Sequence, residues 1–174
     1  ASNPPRPVAV AICTFNRADD CAKTVAALAS DKAVVERLET VYVVDQGTDP
    51  VEDRELFQQV APAFGDRLQY LRQPNLGGAG GFTRGLFEAS ASGDDTDVIL
   101  MDDDILCEPE TVLRLSAFAN CTASPALIGA EMLFLYNPNY LLATAERVDL
   151  ATLRRGLPTD KYSEHNYNVL EELP

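Results

Sequence analysis

Three consecutive carboxylates, Asp102, Asp103 and Asp104, follow the apolar run Val98-Ile99-Leu100-Met101. Like charges this close repel one another unless something positive is present. In an extended segment residues i and i+2 point to the same side, so Asp102 and Asp104 can face one cation while Asp103 turns away. Hard oxygen ligands suit Mg2+ or Mn2+, ions that also bridge phosphates. The plain alternative is a solvated acidic turn capping the next helix, and the position directly after a buried strand argues against it. A second group, Gly77-Gly78-Ala79-Gly80-Gly81, removes side chains where a helical pattern begins. Bare backbone at Gly78 and Gly80 would let a phosphate or sugar approach the positive end of that helix. A flexible turn without a ligand is the alternative there.

Arg17 could pair with a diphosphate, because a guanidinium binds phosphate bidentately; it could equally be a surface arginine. Asp45 ends a strand, a place where carboxylates accept hydrogen bonds from a base or ribose. Gln46 beside it carries both donor and acceptor and could read a nucleobase edge. Together they could also be only a polar strand end before a turn at Gly47. Asn75 could bond a sugar or uracil, or form a turn after Pro74. Arg84 could add charge one turn into the glycine-led helix, or lie on the surface.

Several other chemistries are disfavoured. No lysine follows the glycines, so G-x-x-x-x-G-K-[ST] is absent and a P-loop fails, although Val98 to Asp103 superficially resembles the strand that carries a P-loop's metal aspartate. The dinucleotide fingerprint fails too: Thr83 stands where the third glycine belongs, and the first turn has no glycine. Cys13, Cys21, Cys107 and Cys121 form no C-x-x-C pair, and three sit in apolar segments, so buried thiols are expected for most. His165 has no Cys or His neighbour at ligand spacing, which argues against zinc.

These residues need elements to position them. Val8 to Cys13 is a nearly continuous apolar run, as in a strand buried on both faces. A helix follows with Cys21, Val25 and Leu28 on one face and Asp19 or Asp20 as N-cap. Thr40 to Val44 is the second strand. Asp49-Pro50-Val51-Glu52 reads as a helix start capped by Asp49. Leu68 to Leu71 is the third strand, leading into the glycines and a helix with Phe82, Leu86 and Ala89 on one side. Asp97 to Met101 is the fourth strand. Glu108-Pro109-Glu110 opens a helix with Val112, Leu115 and Ala119 as its stripe. Leu127 to Leu135 is expected as a fifth strand, and from about Leu150 no element is expected.

The β-α-β-α-β-α-β order implies an α/β fold, a mostly parallel sheet flanked by helices. Ligands in such sheets bind at the carboxyl ends of the strands. Thr14 to Arg17, Asp45 to Gly47, Asn75 to Gly81 and Asp102 to Asp104 all fall at those ends.

The chain has 174 residues, 46% hydrophobic and 24% charged, with a formal net charge of −13. That composition is globular rather than disordered. The acidic balance argues against a general nucleic-acid binder, which needs a basic field. It leaves room for a small phosphorylated ligand if a local charge, a helix end or a metal supplies positive potential. No apolar run is long enough for a transmembrane helix, and the Pro-rich start is no signal peptide.

In their order, Thr14-Phe15-Asn16-Arg17, Val44-Asp45-Gln46-Gly47, Asn75-Leu76-Gly77-Gly78-Ala79-Gly80-Gly81 and Met101-Asp102-Asp103-Asp104 resemble the motifs of family 2 glycosyltransferases with the GT-A fold. The run from Asn75 to Gly85 looks like that of the branch that polymerises cell-wall galactan from UDP-galactofuranose. The resemblance covers about Val8 to Tyr140. It implies that Arg17, Gln46 and Asn75 hold the UDP of the donor, with Thr14, Phe15 and Asp45 nearby and Gly78 and Gly80 bordering sugar or phosphate. It implies that Asp102 and Asp104 hold Mn2+ or Mg2+ on the diphosphate, and that transfer to a galactan acceptor, lipid-linked in the family, is inverting. The family's general base and metal histidine belong to a part expected beyond Pro174, and His165 does not match their motif. The chain is thus expected to be the donor-binding part of a larger enzyme, with residues 7–140 its core and 141–174 the start of an acceptor-side region. Binding of UDP without efficient transfer is expected of it. Oligomerisation of the full enzyme is compatible with this reading, as is a cytoplasmic place at the inner face of the membrane. The competing readings are a nucleotidyltransferase, whose glycine loop would follow the first strand, and a receiver-like phosphate or metal module, which would need an acidic pair there.

Overall fold

The computed structural model describes residues 5–92, 95–130, 132–143, 147–152, 154–156 and 165–166. It divides into two compact units, Ala1–Ala126 and Leu127–Pro174. The first unit runs β1 (Val8–Thr14), α1 (Ala18–Ala29), α2 (Lys32–Arg37), β2 (Leu38–Asp45), α3 (Glu55–Val60), β3 (Leu68–Arg72), α4 (Gly77–Ser92), β4 (Asp97–Asp102) and α5 (Glu110–Cys121). Its four strands form one sheet in the order β3-β2-β1-β4, and every pairing is parallel. This is the helix-flanked, parallel sheet that the strand and helix order implied, and the architecture expected from the GT-A resemblance.

The two faces of β1 differ. Val8, Val10 and Ile12 point into the larger core, with Val41 and Val43 of β2, Cys21, Val25 and Leu28 of α1, Phe57 of α3 and Val112 of α5. Burying each such side chain stabilises the fold by roughly 1.5–3 kcal/mol. Ala9 and Ala11 point the other way, into a small cluster with Tyr42 and Ala89 of α4. The buried stripe of α4 is made of small residues, Gly81, Gly85 and Ala89. Leu86, expected in that stripe, is exposed: the alanine face of β1 admits a helix at close range only where its residues are small.

Several elements differ from the sequence expectation. Arg17, not Asp19 or Asp20, holds the N-cap position of α1; both aspartates lie in its first turn, where the helix dipole favours them. α2 is an additional six-residue helix, capped by Asp31, whose carboxylate accepts from Ala33 N at 2.8 Å. The start expected at Asp49 is only a 3-10 turn, Val51–Asp53, and the helix proper begins at Glu55. The reason is local: Val51 N donates to Asp45 at 3.0 Å, and Asp49 is ion-paired to Arg54 instead of capping. In α5 the fully buried positions are Val112 and Ser116; Leu115 and Ala119 are half-buried. Of the thiols only Cys21 is fully buried; Cys13 and Cys107 are half-buried and Cys121 is exposed.

In the second unit β5 (Met132–Phe134) and β6 (Asn137–Ala143) form an antiparallel hairpin turning at Leu135-Tyr136, and β6 also pairs with β9 (His165–Asn166). β7 (Arg147–Asp149) pairs with β8 (Arg154–Gly156). The expected fifth strand is therefore shorter than 127–135. Leu127 is fully exposed and takes part in no strand. Among the described residues no helix is long and apolar enough to cross a membrane.

Candidate donor-binding site

The chain moves outward from β1 through β2 to β3, then crosses back to place β4 on the other side of β1. That reversal makes β1 and β4 a topological switch point, the usual location of a ligand crevice in an open parallel sheet. Cys13 lies opposite Asp102 across it, and Thr14 lies opposite Asp45 on the β2 side.

The aspartate triplet alternates in exposure, although only Asp102 belongs to β4; Asp103 and Asp104 lie in the turn after it, not in the extended segment expected. Asp102 and Asp104 are exposed, whereas Asp103 is 8% exposed. The carbonyl of Asp103 accepts from the Thr24 hydroxyl at 2.9 Å, which fixes the turn onto α1. Burial raises the Asp103 pKa; the nearby Thr14 hydroxyl opposes this and the Asp104 charge adds to it. Asp104 is ion-paired with Arg17, and both side chains are about half exposed. Exposed pairs of this kind contribute only about 0–1 kcal/mol, so the pair can open for another partner. Asp102 and Asp104 suit a hard divalent ion as two outward carboxylates from one strand end. Among the described residues no group of three or more His, Cys, Asp or Glu is arranged to hold a metal.

Asp45 is fully buried and saturated. One oxygen accepts from Gly47 N at 2.8 Å; the other accepts from Val51 N at 3.0 Å, the Tyr70 hydroxyl at 2.5 Å and Arg72 Nη1 at 2.9 Å. Burial, then the bond to Asp45, pushes the Tyr70 pKa up to about 12, so its hydroxyl remains a donor. Gln46 is equally engaged. Its Nε2 donates to Gly77 O at 3.0 Å and Cys13 Sγ at 3.3 Å, and its Oε1 accepts from Leu76 N at 2.8 Å and Gln73 Nε2 at 3.0 Å. Burial raises the Cys13 pKa and keeps its sulfur neutral. Gln46 therefore ties the end of β2 to the loop before α4, and contact with a base would require it to exchange a partner. Asn75 is exposed, and its Oδ1 accepts from Gly77 N at 2.9 Å, closing the turn into α4.

The glycines divide into two sets. A Cβ on Gly81 would lie 2.1 Å from Cys13 Sγ, and one on Gly85 would lie 2.5 Å from Ala11 Cβ. These two let α4 lie against β1. A Cβ on Gly80 would meet Leu76 Cβ at 2.3 Å. A Cβ on Gly77, at φ +70°, or on Gly78 would meet nothing within 4 Å, so there is space beside the helix start, although Gly77 N and O are already bonded to Asn75 and Gln46. Phe15 and Leu76 are exposed beside these loops, at 47% and 63%.

Of the residues singled out from sequence, the structure joins Arg17 to Asp104, Gln46 to the Asn75–Gly77 turn, and Thr14 to Gln46, whose backbone N donates to Thr14 O at 3.0 Å. Arg84 pairs with Glu88 on its own helix. Sequence reading passed over Asn16, Tyr70, Arg72 and Gln73. Asn16 has φ 55°, and its Oδ1 accepts from Thr48 N at 2.8 Å. Tyr70 and Arg72 are two apart at the end of β3, and their shared side was a usable signal.

An open parallel α/β sheet with carboxylates and an arginine at its carboxyl edge agrees with the GT-A fold that the resemblance implies. Residues 4–160 match the model of Glycosyltransferase like family 2, and the chain belongs to that family. It is 41% identical over 160 residues to Galactofuranosyltransferase GlfT2 of Mycolicibacterium smegmatis, covering 92% of this chain and 25% of that protein. It is 40% identical over 142 residues to Galactofuranosyltransferase GlfT2 of Mycobacterium tuberculosis, covering 82% of this chain and 22% of that protein. The chain thus spans about a quarter of the length of these curated relatives.

Proposed function

We propose that this chain is the donor-binding part of an inverting, metal-dependent transferase that moves galactofuranose from UDP-galactofuranose to a galactan acceptor. The observation that carries the reading is the alternation of the triplet at the β1/β4 switch point: Asp102 and Asp104 outward, Asp103 inward, Arg17 beside Asp104. The names of the two galactofuranosyltransferase relatives supply the sugar.

On this reading Asp102 and Asp104 hold Mn2+ or Mg2+, which supplies positive charge to the diphosphate. Arg17 leaves Asp104 for a diphosphate oxygen, where its planar fork gives two parallel bonds. The space beside Gly77 and Gly78 admits phosphate or sugar at the positive end of α4, where Gly77 N would exchange its bond to Asn75. The exposed Asn75 amide would bond ribose or uracil, and the exposed Phe15 ring would be free to lie against the donor. Gln46 reaches the base by releasing Gln73 or Gly77. Thr14 and Asp45 act from beneath, as supports of the loops. The acceptor hydroxyl attacks the anomeric carbon in line while UDP leaves, and a carboxylate base takes the hydroxyl proton. Calorimetric titration of UDP, UDP-galactofuranose and UDP-glucose with and without Mn2+ tests this. Metal-dependent binding with preference for the galactofuranose donor is expected. Binding indifferent to the metal, or a preference for nucleoside triphosphates, would reject it.

A further inference from the structure

Tyr70 and Arg72 have no part in the roles above, yet they hold the most heavily bonded carboxylate at this edge. Both donate to Asp45, and Arg72 Nη2 also donates to Gly47 O at 2.7 Å. The Gly47 residue is therefore gripped at both ends, its N by Asp45 and its O by Arg72. Gly47 lies directly on Asn16: a Cβ there would be 2.7 Å from both Asn16 N and Asn16 Oδ1. The next residue, Thr48, donates to Asn16 Oδ1 through its backbone N at 2.8 Å and its hydroxyl at 3.3 Å. Asn16 is held at φ 55°, in the left-handed region that L-residues avoid and Asn tolerates best. Arg17 follows it directly, so the direction of Arg17 depends on the conformation of Asn16.

We propose that Tyr70 and Arg72 are positioning residues for the nucleotide diphosphate: their clamp on Asp45 and Gly47 fixes Asn16 and thereby aims Arg17. Neither side chain needs to touch the ligand. The inference rests on the reading that Arg17 meets the UDP diphosphate.

The test is a double-mutant cycle on UDP binding in the presence of Mn2+, measured by calorimetry well below the unfolding temperature. Arg72→Met is expected to weaken UDP binding by about 3- to 30-fold, the range of couplings carried through such networks. Tyr70→Phe, which removes one donor, is expected to weaken it less and in the same direction. Arg72→Lys keeps the charge but cannot grip Asp45 and Gly47 O together, and should recover only part of the loss. On an Arg17→Ala background, Arg72→Met should add less than about twofold, because the residue it aims is gone. A purely structural role would lower the unfolding temperature and leave these affinities alone. Unchanged affinity in both single variants, or a full effect of Arg72→Met without Arg17, overturns the proposal. If Arg72→Met does not fold, the same cycle with Tyr70→Phe decides. Wild-type protein that fails to bind UDP overturns the donor reading and this proposal together; wild-type binding with unaltered clamp variants overturns this proposal alone.

Discussion

Gly81→Ala adds one methyl group between α4 and β1, and the structure sets what it meets. The new Cβ would lie 2.1 Å from Cys13 Sγ, 2.9 Å from Gln46 Nε2 and 3.1 Å from Cys13 Cβ. Non-bonded carbon contacts are favourable near 3.5–4.0 Å, so the first approach must open by about 1.5 Å. Cys13 is on the strand itself and has no long side chain to swing away, so α4 must lift or β1 must bend. Overpacking of this kind costs about 1–3 kcal/mol. Alanine in place of glycine within a helix returns about 0.5–1 kcal/mol. The net expectation is a loss of about 1–2 kcal/mol, a fall of roughly 3–8 °C in unfolding temperature for a domain of this size. Gly78→Ala is the control: nothing would lie within 4 Å of its Cβ, so only the helix gain remains, a rise of about 1–4 °C. Thermal unfolding followed by circular dichroism measures both. Cys13→Ala should restore part of the loss in the Gly81→Ala protein, because it removes the nearest atom. A Gly81→Ala protein as stable as the Gly78→Ala protein would refute the close packing of α4 on β1 and the division of the glycines.

Further outcomes follow from the same geometry. Asp102→Ala and Asp104→Ala should each weaken metal-dependent UDP binding in calorimetry by tenfold or more, whereas Asp103→Asn should act mainly on unfolding temperature, since Asp103 is buried; equal affinity losses at all three would undo the ligand assignment. Gly47→Ala should cost about 1–3 kcal/mol in denaturant unfolding, because its Cβ would press on Asn16 backbone that cannot rotate aside. Asp45→Asn places an NH2 or a weaker acceptor before donors that now share a carboxylate, and chemical denaturation should record a loss of about 2–3 kcal/mol. Gly80→Val should disturb the first turn of α4 through Leu76, so its loss of UDP affinity should come with altered far-ultraviolet dichroism; lost affinity in an unaltered helix would place Gly80 against the ligand instead.

Some features were determined by sequence alone because they depend on local periodicity. The unbroken apolar run of β1 required burial on both faces, and both faces are covered. The sequence placed the triplet at a strand end, but the expected extended geometry stops at Asp102: Asp103 is buried and Asp104 exposed in the turn that follows β4, held by the Thr24 hydroxyl on the Asp103 carbonyl. The order of strands and helices likewise implied a parallel sheet with its special residues at one edge. Tertiary structure decided everything that depends on which neighbour a polar or small residue meets. The glycine run looks uniform in sequence, yet a Cβ on Gly81 would strike Cys13, which lies far from it along the chain, while one on Gly78 would meet nothing within 4 Å. Gln46 and Asp45 carry the polarity of ligand-facing residues, but their bonds go to Gln73, Leu76, Gly77, Tyr70 and Arg72, which only the pairing of β2 with β3 and the return of α4 bring near. Hydrogen bonds and steric contacts are short-ranged, so a polar or small residue takes its role from the atoms the fold brings within about 4 Å of it, and no spacing along one chain names those atoms in advance.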